Sequence, residues 1–277
     1  MLKRYLPFYK AGAINTMAYK FNLFIWLIVS VFEVACVVFL WFAVYSNSPD
    51  GMDSVINGYS FKEMITYLVT VNIFWFCTSN SNTLWTIDDE IKNGTIAMAF
   101  TKPISYRKRF VFTTLGIASM QFALVGLPLF VISYTVFVLI GFISVVSVGV
   151  LLADIVLFLI SAVIAVLLMD CINYIFGVLC FYTSSSFGVN SIKEVIVSFL
   201  SGTLLPISFF PSVFSTIVSY LPFAGMSQNP VRILLMQVSL VEGLEAIGIS
   251  LIWLIVLEAA AKGLFAHASK KVTVQGG

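Results

Sequence analysis

Residues 23–44 read LFIWLIVSVFEVACVVFLWFAV and contain a single charged residue, Glu33. A helix needs about 20 apolar residues to cross the hydrocarbon core of a bilayer. The stretch therefore predicts a membrane-spanning helix, and this decides the class of fold. It is longer than the apolar core of a signal peptide, about 7–15 residues, and lacks a small-x-small cleavage pattern. We expect it to remain as a membrane anchor.

Five further apolar segments pass the same length test. They are residues 64–85, 110–140, 148–181, 195–210 and 246–264. The whole chain is 60% hydrophobic and 10% charged, whereas soluble domains are roughly 45–50% apolar and about 25% charged. We predict an all-α integral membrane protein with six transmembrane helices in one domain, residues 1–277. Pro128 offers a kink in the third span.

The basic residues predict the orientation, because cytoplasmic loops carry an excess of Lys and Arg. With both termini in the cytoplasm, only Lys62 and Arg232 of the 15 lysines and arginines lie outside. Residues 1–22 combine aromatic and basic side chains, which favours an interfacial helix on the inner leaflet. A frayed tail is the alternative. The net charge of +2 is too small to indicate a nucleic-acid partner.

Residues 206–240 are apolar but contain four of the eight prolines. These are Pro206, Pro211, Pro222 and Pro230. A straight helix cannot continue through them, and broken backbone at membrane depth requires protein or a watery cavity around it. We expect short helices in an outer re-entrant region.

Residues 86–109 form the longest cytoplasmic loop between spans. Asn93 and Gly94 are a turn signal, and Thr95 can cap a short helix that Pro103 and Ser105 follow. The apolar side chains of this helix are those of Ile96, Met98 and Phe100. Exposure of these side chains to water is costly, so they either enter the groove of a partner protein or rest on the inner membrane surface.

Polar residues within the spans mark a further candidate site. Asn72, Ser79 and Thr83 follow one helical face of the second span, and such a face lines a substrate path or holds helices together. Glu33 lies in the middle of the first span, where an ionised carboxylate costs about 2.5–3.5 kcal/mol. It has a role either in transport or in helix packing.

The same alternatives apply to Asp170 and Asn173 in the fourth span. Glu258 and Lys262, four residues apart, suggest an interfacial ion pair near the inner end of the sixth span.

Enzymatic chemistry has little support in this sequence. It contains neither the G-x-x-x-x-G-K-[ST] phosphate loop nor G-x-S-x-G. The one histidine, His267, and four cysteines without C-x-x-C spacing predict no metal site. We expect no cofactor in this chain, and any ATP-driven work needs another subunit.

The order of motifs in the inner loop resembles that of permease subunits of ABC-2 type transporters. In this family an acidic residue, Gly-Thr, a short apolar helix, Pro-Ser and Arg follow one another. Here the corresponding residues are Glu90, Gly94, Thr95, 96–100, Pro103, Ser105, and Arg107 or Arg109. The stretches FLSGTLLPISFFP and LPFAGMSQNP also look like the fifth span and outer region of one bacterial subgroup.

The resemblance implies two permease halves, identical or paralogous, above two copies of a cytoplasmic ABC ATPase that binds ATP and Mg. It also implies export across the bacterial cytoplasmic membrane, with the helix at residues 95–100 acting as the coupling helix. The substrate path would then run between the halves and include Glu33, Asn72, Ser79 and Thr83. Two alternatives are an ion-coupled secondary transporter, with Glu33 and Asp170 as proton sites, and a non-transporting scaffold or immunity protein.

Overall fold

The computed structural model describes residues 2–101, 103–143, 148–183 and 185–271. These residues form α-helices, several 3₁₀ turns and one two-stranded antiparallel hairpin, β1 (Val55–Ile56) and β2 (Tyr59–Ser60). The helices are α1 (Leu6–Ala18), α2 (Lys20–Ser46), α3 (Phe61–Thr78), α4 (Thr83–Lys92), α5 (Ile96–Thr101), α6 (Tyr106–Gln121), α7 (Leu127–Leu139), α8 (Val148–Leu179), α9 (Ser186–Leu200), α10 (Ser212–Tyr220), α11 (Gln228–Leu234) and α12 (Leu240–Ala268).

Four helical segments are long and apolar enough to cross a membrane. They are Phe24–Ser46, Tyr106–Leu139, Leu152–Leu179 and Leu240–Ala268. These segments overlap the first, third, fourth and sixth predicted spans, and the chain is an all-α membrane protein. The second and fifth predicted spans differ from the sequence-based expectation.

The predicted second span, residues 64–85, is wrong as a single helix. α3 begins with a capping box between Ser60 and Glu63 and ends at Thr78. Residues 79–82 are not helical, and α4 starts at Thr83. The interruption contains two serines and two asparagines, which compete with helical hydrogen bonds through their own side chains.

The predicted fifth span, residues 195–210, is also wrong as a helix. α9 ends at Leu200 and has only 15 residues, which reach about 22 Å. The chain then turns, and the backbone N–H of Gln228 holds the turn by donating to the carbonyl of Ser201 at 3.1 Å. The phenol of Tyr67 also donates to the carbonyl of Gly202 at 2.7 Å.

The third span continues from α6 into α7 through a π-helical turn at Phe122–Gly126. Pro128 lies two residues after this turn and has no backbone N–H to donate to a regular helix, which accounts for the local change of winding. The feature lies where the sequence predicts a kink.

The proline-rich region contains the predicted short helices. α10 begins directly after Pro211 and ends before Pro222, and Pro230 lies in the first turn of α11. The indole nitrogen of Trp253 on α12 donates to the carbonyl of Tyr220 at 2.6 Å. The region is therefore fixed to the helical core.

The core is built around α8, which packs against α3, α4, α6, α11 and α12. In the most apolar 18-residue stretch of α8, 61% of the residues are buried, whereas in the corresponding stretch of α2 only 6% are buried. α2 contacts the core through its last turns, where Trp41 and Tyr45 are buried. Most of α2 is thus left without a partner among the residues that the structure describes.

α1 forms the helix expected for the N-terminal segment, and one side of it packs directly on α6. A Cβ atom added to Gly116 would lie 2.1 Å from the carbonyl oxygen of Tyr9, and one added to Gly12 would lie 2.3 Å from that of Thr113. Only glycine permits this approach of the two backbones. The phenol of Tyr9 also lies 2.8 Å from the hydroxyl of Ser119.

Both described ends of the chain lie beside α5. The backbone N–H of Ser105 donates to the phenol of Tyr5 at 2.9 Å, and the ring of Phe265 stacks on that of Tyr106 at 5.0 Å. We call this the coupling end. The hairpin and the first turn of α3 lie at the other end of the helices, together with α10 and α11, and we call it the far end.

Candidate functional site

The loop at the coupling end has the predicted turn and short helix. Gly94 follows the last turn of α4 with φ of +66°, a left-handed conformation that glycine adopts without strain. Its N–H donates to the carbonyl of Ile91 at 3.1 Å. α5 then begins at Ile96, and the side chain of Ser105 caps α6 by accepting from the N–H of Lys108.

An ion pair joins the two sides of this loop. The guanidinium of Arg109 on α6 lies 2.9 Å from the carboxylate of Glu90 on α4, and the phenol of Tyr106 donates to the same carboxylate at 2.8 Å. The Arg109 guanidinium also lies 4.5 Å from the ring centroid of Phe110. Glu90 and Arg109, two residues of the family-like motif, therefore brace α5 from both sides.

α5 has one buried and one exposed side. The prediction that Ile96 is exposed is wrong: it is 2% exposed and belongs to a cluster with Tyr106, Tyr174 and Ala261. The sequence could not show this, because the partners of Ile96 come from α6, α8 and α12. Met98 is 53% exposed. The side chain of Phe100 lies outside the described residues.

A small cavity of about 160 Å³ adjoins the exposed side of α5. Its walls include Phe8, Glu90, Thr95, Met98, Ile104 and Arg109. It is large enough for an apolar side chain from another protein.

A buried polar network lies between α5 and the core. Arg107, in the first turn of α6, donates from Nη1 to Oδ2 of Asp170 on α8 at 2.5 Å. It also donates from Nε and Nη2 to Oε1 of Glu258 on α12 at 3.0 and 2.6 Å. Arg107 is 6% exposed and Asp170 is fully buried. One guanidinium thus joins three helices.

Three hydroxyl groups complete the shell of Asp170. The donors to its Oδ1 are Ser81 at 3.1 Å, Thr83 at 2.5 Å and Thr114 at 2.7 Å. Ser81 and Thr83 lie at the start of α4, so their hydrogen bonds to this carboxylate fix the position of the break between α3 and α4. The guanidinium of Arg107 lies 4.8 Å from the ring centroid of Tyr174. The guanidinium and the three hydroxyl groups together supply donors to both oxygens of this buried carboxylate.

The network corrects one sequence-based expectation and goes beyond the others. Glu258 pairs with Arg107 rather than with Lys262 as predicted. Asp170 and Glu258 in apolar segments were a signal that a cation lies nearby, because buried carboxylates need one. The sequence did not identify Arg107 as that cation, since 63 residues separate it from Asp170.

The predicted path residues are not brought together as one lining. Thr83 is buried and donates to Asp170, so within this chain it joins helices instead of facing an open path. Asn72 donates to the carbonyl of Leu68 in its own helix at 2.7 Å and is half-buried, as is Ser79. Glu33 is exposed on α2, with no hydrogen bond or ion pair within the described ranges.

Two lysines connect α9 to the rest of the coupling end. Lys92 on α4 pairs with Asp88 at 2.7 Å and donates to the hydroxyl of Ser186 at 3.1 Å. The hydrogen bond with Asp88 raises the pKa of Lys92, so it remains charged at neutral pH. Lys193 is buried and donates to the amide oxygen of Asn173 on α8 at 2.6 Å.

No three His, Cys, Asp or Glu side chains converge on a metal position in the part of the chain that the structure describes. The polar groups at the coupling end form ion pairs and hydrogen bonds that hold helices together.

The comparisons with known proteins identify the family. A model of the ABC-2 family transporter protein matches residues 20–276, which include the loop from α4 to α6 and the buried network. No individual curated protein matches the sequence. The match covers almost the whole chain, and the chain therefore belongs to the ABC-2 family of transporter proteins as a membrane permease component.

Proposed function

We propose that this chain is the permease subunit of an ATP-driven exporter in the bacterial cytoplasmic membrane. It pairs with a second permease half and with two copies of a separate ABC ATPase, which binds ATP and Mg. In this assembly both termini and α5 lie in the cytoplasm. The chain crosses the membrane six times as one transmembrane domain, with α3 and α9 as shorter second and fifth crossings and α10–α11 as the outer re-entrant region.

The observation that carries the proposal is the way in which neighbouring ion pairs hold α5 in place. Its exposed Met98 lies beside a small cavity, while the Glu90–Arg109 pair fixes both of its flanks. Two residues before Arg109, Arg107 is bound to α8 and α12. A displacement of α5 by a partner is thus passed to α6 and, through Arg107, to two spans. This is the mechanical requirement for coupling ATP hydrolysis to transport.

The second permease half is supported by α2. Only 6% of the residues in its apolar stretch are buried, and Glu33 is exposed near the middle of this helix. An ionised carboxylate facing hydrocarbon costs about 2.5–3.5 kcal/mol. A second half would cover this surface or enclose water beside it, and this supports a substrate path at the interface between the halves.

An ion-coupled mechanism is less consistent with the site. Asp170, one of its two candidate proton sites, accepts bonds from Arg107 and three hydroxyl groups. Both of its carboxylate oxygens are thus occupied by contacts that hold helices together. A scaffold or immunity function would not require the connection between α5 and the spans.

The proposal is tested by purifying the tagged chain from its native membrane and identifying a co-purifying ATPase. Met98→Asp places a charge on the exposed side of α5 and should release the ATPase while the permease stays in the membrane. Val55→Asp is the matched control, because Val55 is 67% exposed at the far end. Equal recovery of the ATPase with both variants would overturn the assignment of α5 as the docking helix.

A further inference from the structure

Two adjoining cavities lie at the far end, away from the coupling site. One has a volume of about 410 Å³ and a polar wall that includes Tyr59, Ser208 and Arg232. The other has a volume of about 600 Å³ and a mostly apolar wall that includes Phe130, Phe137 and Leu234. Glu63 and Gln237 line both cavities. Together they form a site with a polar and an apolar compartment.

Arg232 is the cation of the polar compartment. Its Nε atom is buried without a hydrogen-bond partner, and none of the ion pairs in the described ranges includes it. The amide oxygen of Gln237 is likewise buried and unpaired. Buried polar groups in folded proteins are normally hydrogen-bonded, so these two groups point to a ligand.

The backbone at this site is held in a costly conformation. α11 ends in a Schellman motif. The N–H of Gln237 donates to the carbonyl of Arg232 at 2.9 Å, and the N–H of Met236 donates to the carbonyl of Ile233 at 3.0 Å. The left-handed position is normally glycine, but here it is Met236 with φ of +55°. Met236 also lines the apolar compartment. The motif brings Gln237 back beneath Arg232, where both line the polar compartment.

Glu63 supplies the opposite charge. Its Oε2 accepts from the backbone N–H and the hydroxyl of Ser60 at 2.9 and 2.8 Å. Its Oε1 accepts no hydrogen bond among the residues that the structure describes. Among the residues that the structure describes, the wall therefore offers an unpaired guanidinium Nε atom and a carboxylate oxygen that accepts no hydrogen bond. These two groups complement a head group carrying both charges.

The apolar compartment opens to the side of the helices. Val131 and Tyr134 of α7 line it and are 58% and 38% exposed. In a membrane protein this surface adjoins the acyl chains. A molecule can thus enter sideways from the bilayer with its tail in the apolar compartment and its head at the membrane surface.

We propose that the two cavities bind a zwitterionic phospholipid of the bilayer as a resident ligand. The phosphate accepts hydrogen bonds from Arg232, the ammonium group lies at Glu63, and an acyl chain fills the compartment beside Phe130 and Phe137. The site is separate from α5 and from the path between permease halves, and it requires no ATPase.

The test measures lipid bound to the purified full-length chain in detergent by native mass spectrometry, with added phosphatidylethanolamine or phosphatidylglycerol. Wild type should retain phosphatidylethanolamine more tightly. Arg232→Gln should weaken the binding of both lipids by about tenfold. Glu63→Gln preserves the capping box, in which Gln also serves, and should abolish only the preference for phosphatidylethanolamine.

Lys108→Gln at the coupling end is the control for the loss of one positive charge. Equal lipid binding by Arg232→Gln and Lys108→Gln would overturn the site. A preference for phosphatidylglycerol in wild type would overturn the zwitterionic assignment. Lipid found only in preparations with an energised ATPase would identify a transported molecule, and the proposal of a resident lipid would be wrong.

Discussion

Arg107 and Asp170 form a buried ion pair, with Nη1 and Oδ2 2.5 Å apart, between the first turn of α6 and the middle of α8. Arg107 follows α5 by only a few residues, whereas Asp170 lies in the most buried of the four long apolar helices. The pair therefore fixes the loop that carries α5 to the centre of the molecule. It connects the coupling end directly to the spans.

We predict that Arg107→Gln lowers the free energy of unfolding by about 3–5 kcal/mol, because it leaves the buried carboxylate of Asp170 without its cation. The double variant Arg107→Gln with Asp170→Asn should lose less than the sum of the single variants. Thermal unfolding of the purified chain in detergent measures both effects.

Lys108→Gln is the matched control, because Lys108 is the exposed neighbour of Arg107 and surface substitutions change stability by about 0.5 kcal/mol or less. If Arg107→Gln and Lys108→Gln unfolded at the same temperature, the ion pair would not contribute to the stability of the fold.

Local features of the fold could be predicted from the sequence. Apolar length identified the four long spans, and Asn93–Gly94 and Pro103–Ser105 bounded the short helix correctly. These features depend on residues close together in the chain, and their physics is that of helix propensity and capping.

The errors arose where distant residues decide the structure. The second span was expected to continue past residue 78, but Ser81 and Thr83 bind Asp170, which is nearly 90 residues away. Ile96 was expected to be exposed, yet side chains from three other helices cover it. Hydropathy in a window cannot report such contacts, because it contains no information on which helices are neighbours.

The contact of α1 with α6 yields a second prediction. Gly116→Val should displace α1, because even a Cβ atom there would lie 2.1 Å from the carbonyl oxygen of Tyr9. Overpacking of this kind costs about 1–3 kcal/mol. Trypsin should then cleave after the exposed Lys10 about tenfold faster or more.

The control for this experiment is Gly248→Val on α12, where a Cβ atom meets nothing within 4 Å. Cleavage rates that do not distinguish Gly116→Val from Gly248→Val would show that the close approach does not hold α1 in place.

The orientation yields a third prediction. Ser212 at the start of α10 and Met98 on α5 are both exposed and lie at opposite ends of the helices. Single cysteines at these positions, in a Cys36→Ala background, should react differently with a membrane-impermeant maleimide. Ser212→Cys should be labelled in intact cells, and Met98→Cys only after permeabilisation. Gln228 is unsuitable as a probe because it is buried. The reverse labelling pattern would invert the topology.

The uncovered surface of α2 yields the last prediction. Glu33 and Cys36 are both exposed and lie three residues apart, so they share one side of the helix. A two-fold symmetric interface brings the same residue of both copies close to the axis. If the second half is another copy of this chain and α2 meets its equivalent, mild oxidation in the membrane should cross-link Cys36 into a dimer.

Glu33→Gln tests the function of the same surface, because it removes the charge but keeps the shape and a hydrogen-bonding group. A role in the substrate path requires that this variant still cross-links through Cys36 while export, or substrate-stimulated ATP hydrolysis, changes. Glu33→Leu, which removes hydrogen bonding as well, separates the packing alternative: loss of the Cys36 cross-link in both variants would show that the carboxylate holds the two halves together. The control is a cysteine at Val31 in a Cys36→Ala background. Val31 is 56% exposed on the same helix but lies two residues from Glu33 and five from Cys36, on the opposite side of the helix. Cross-linking of Val31→Cys as fast as that of Cys36 would indicate random collision, and the assignment of this side of α2 to the interface would be wrong.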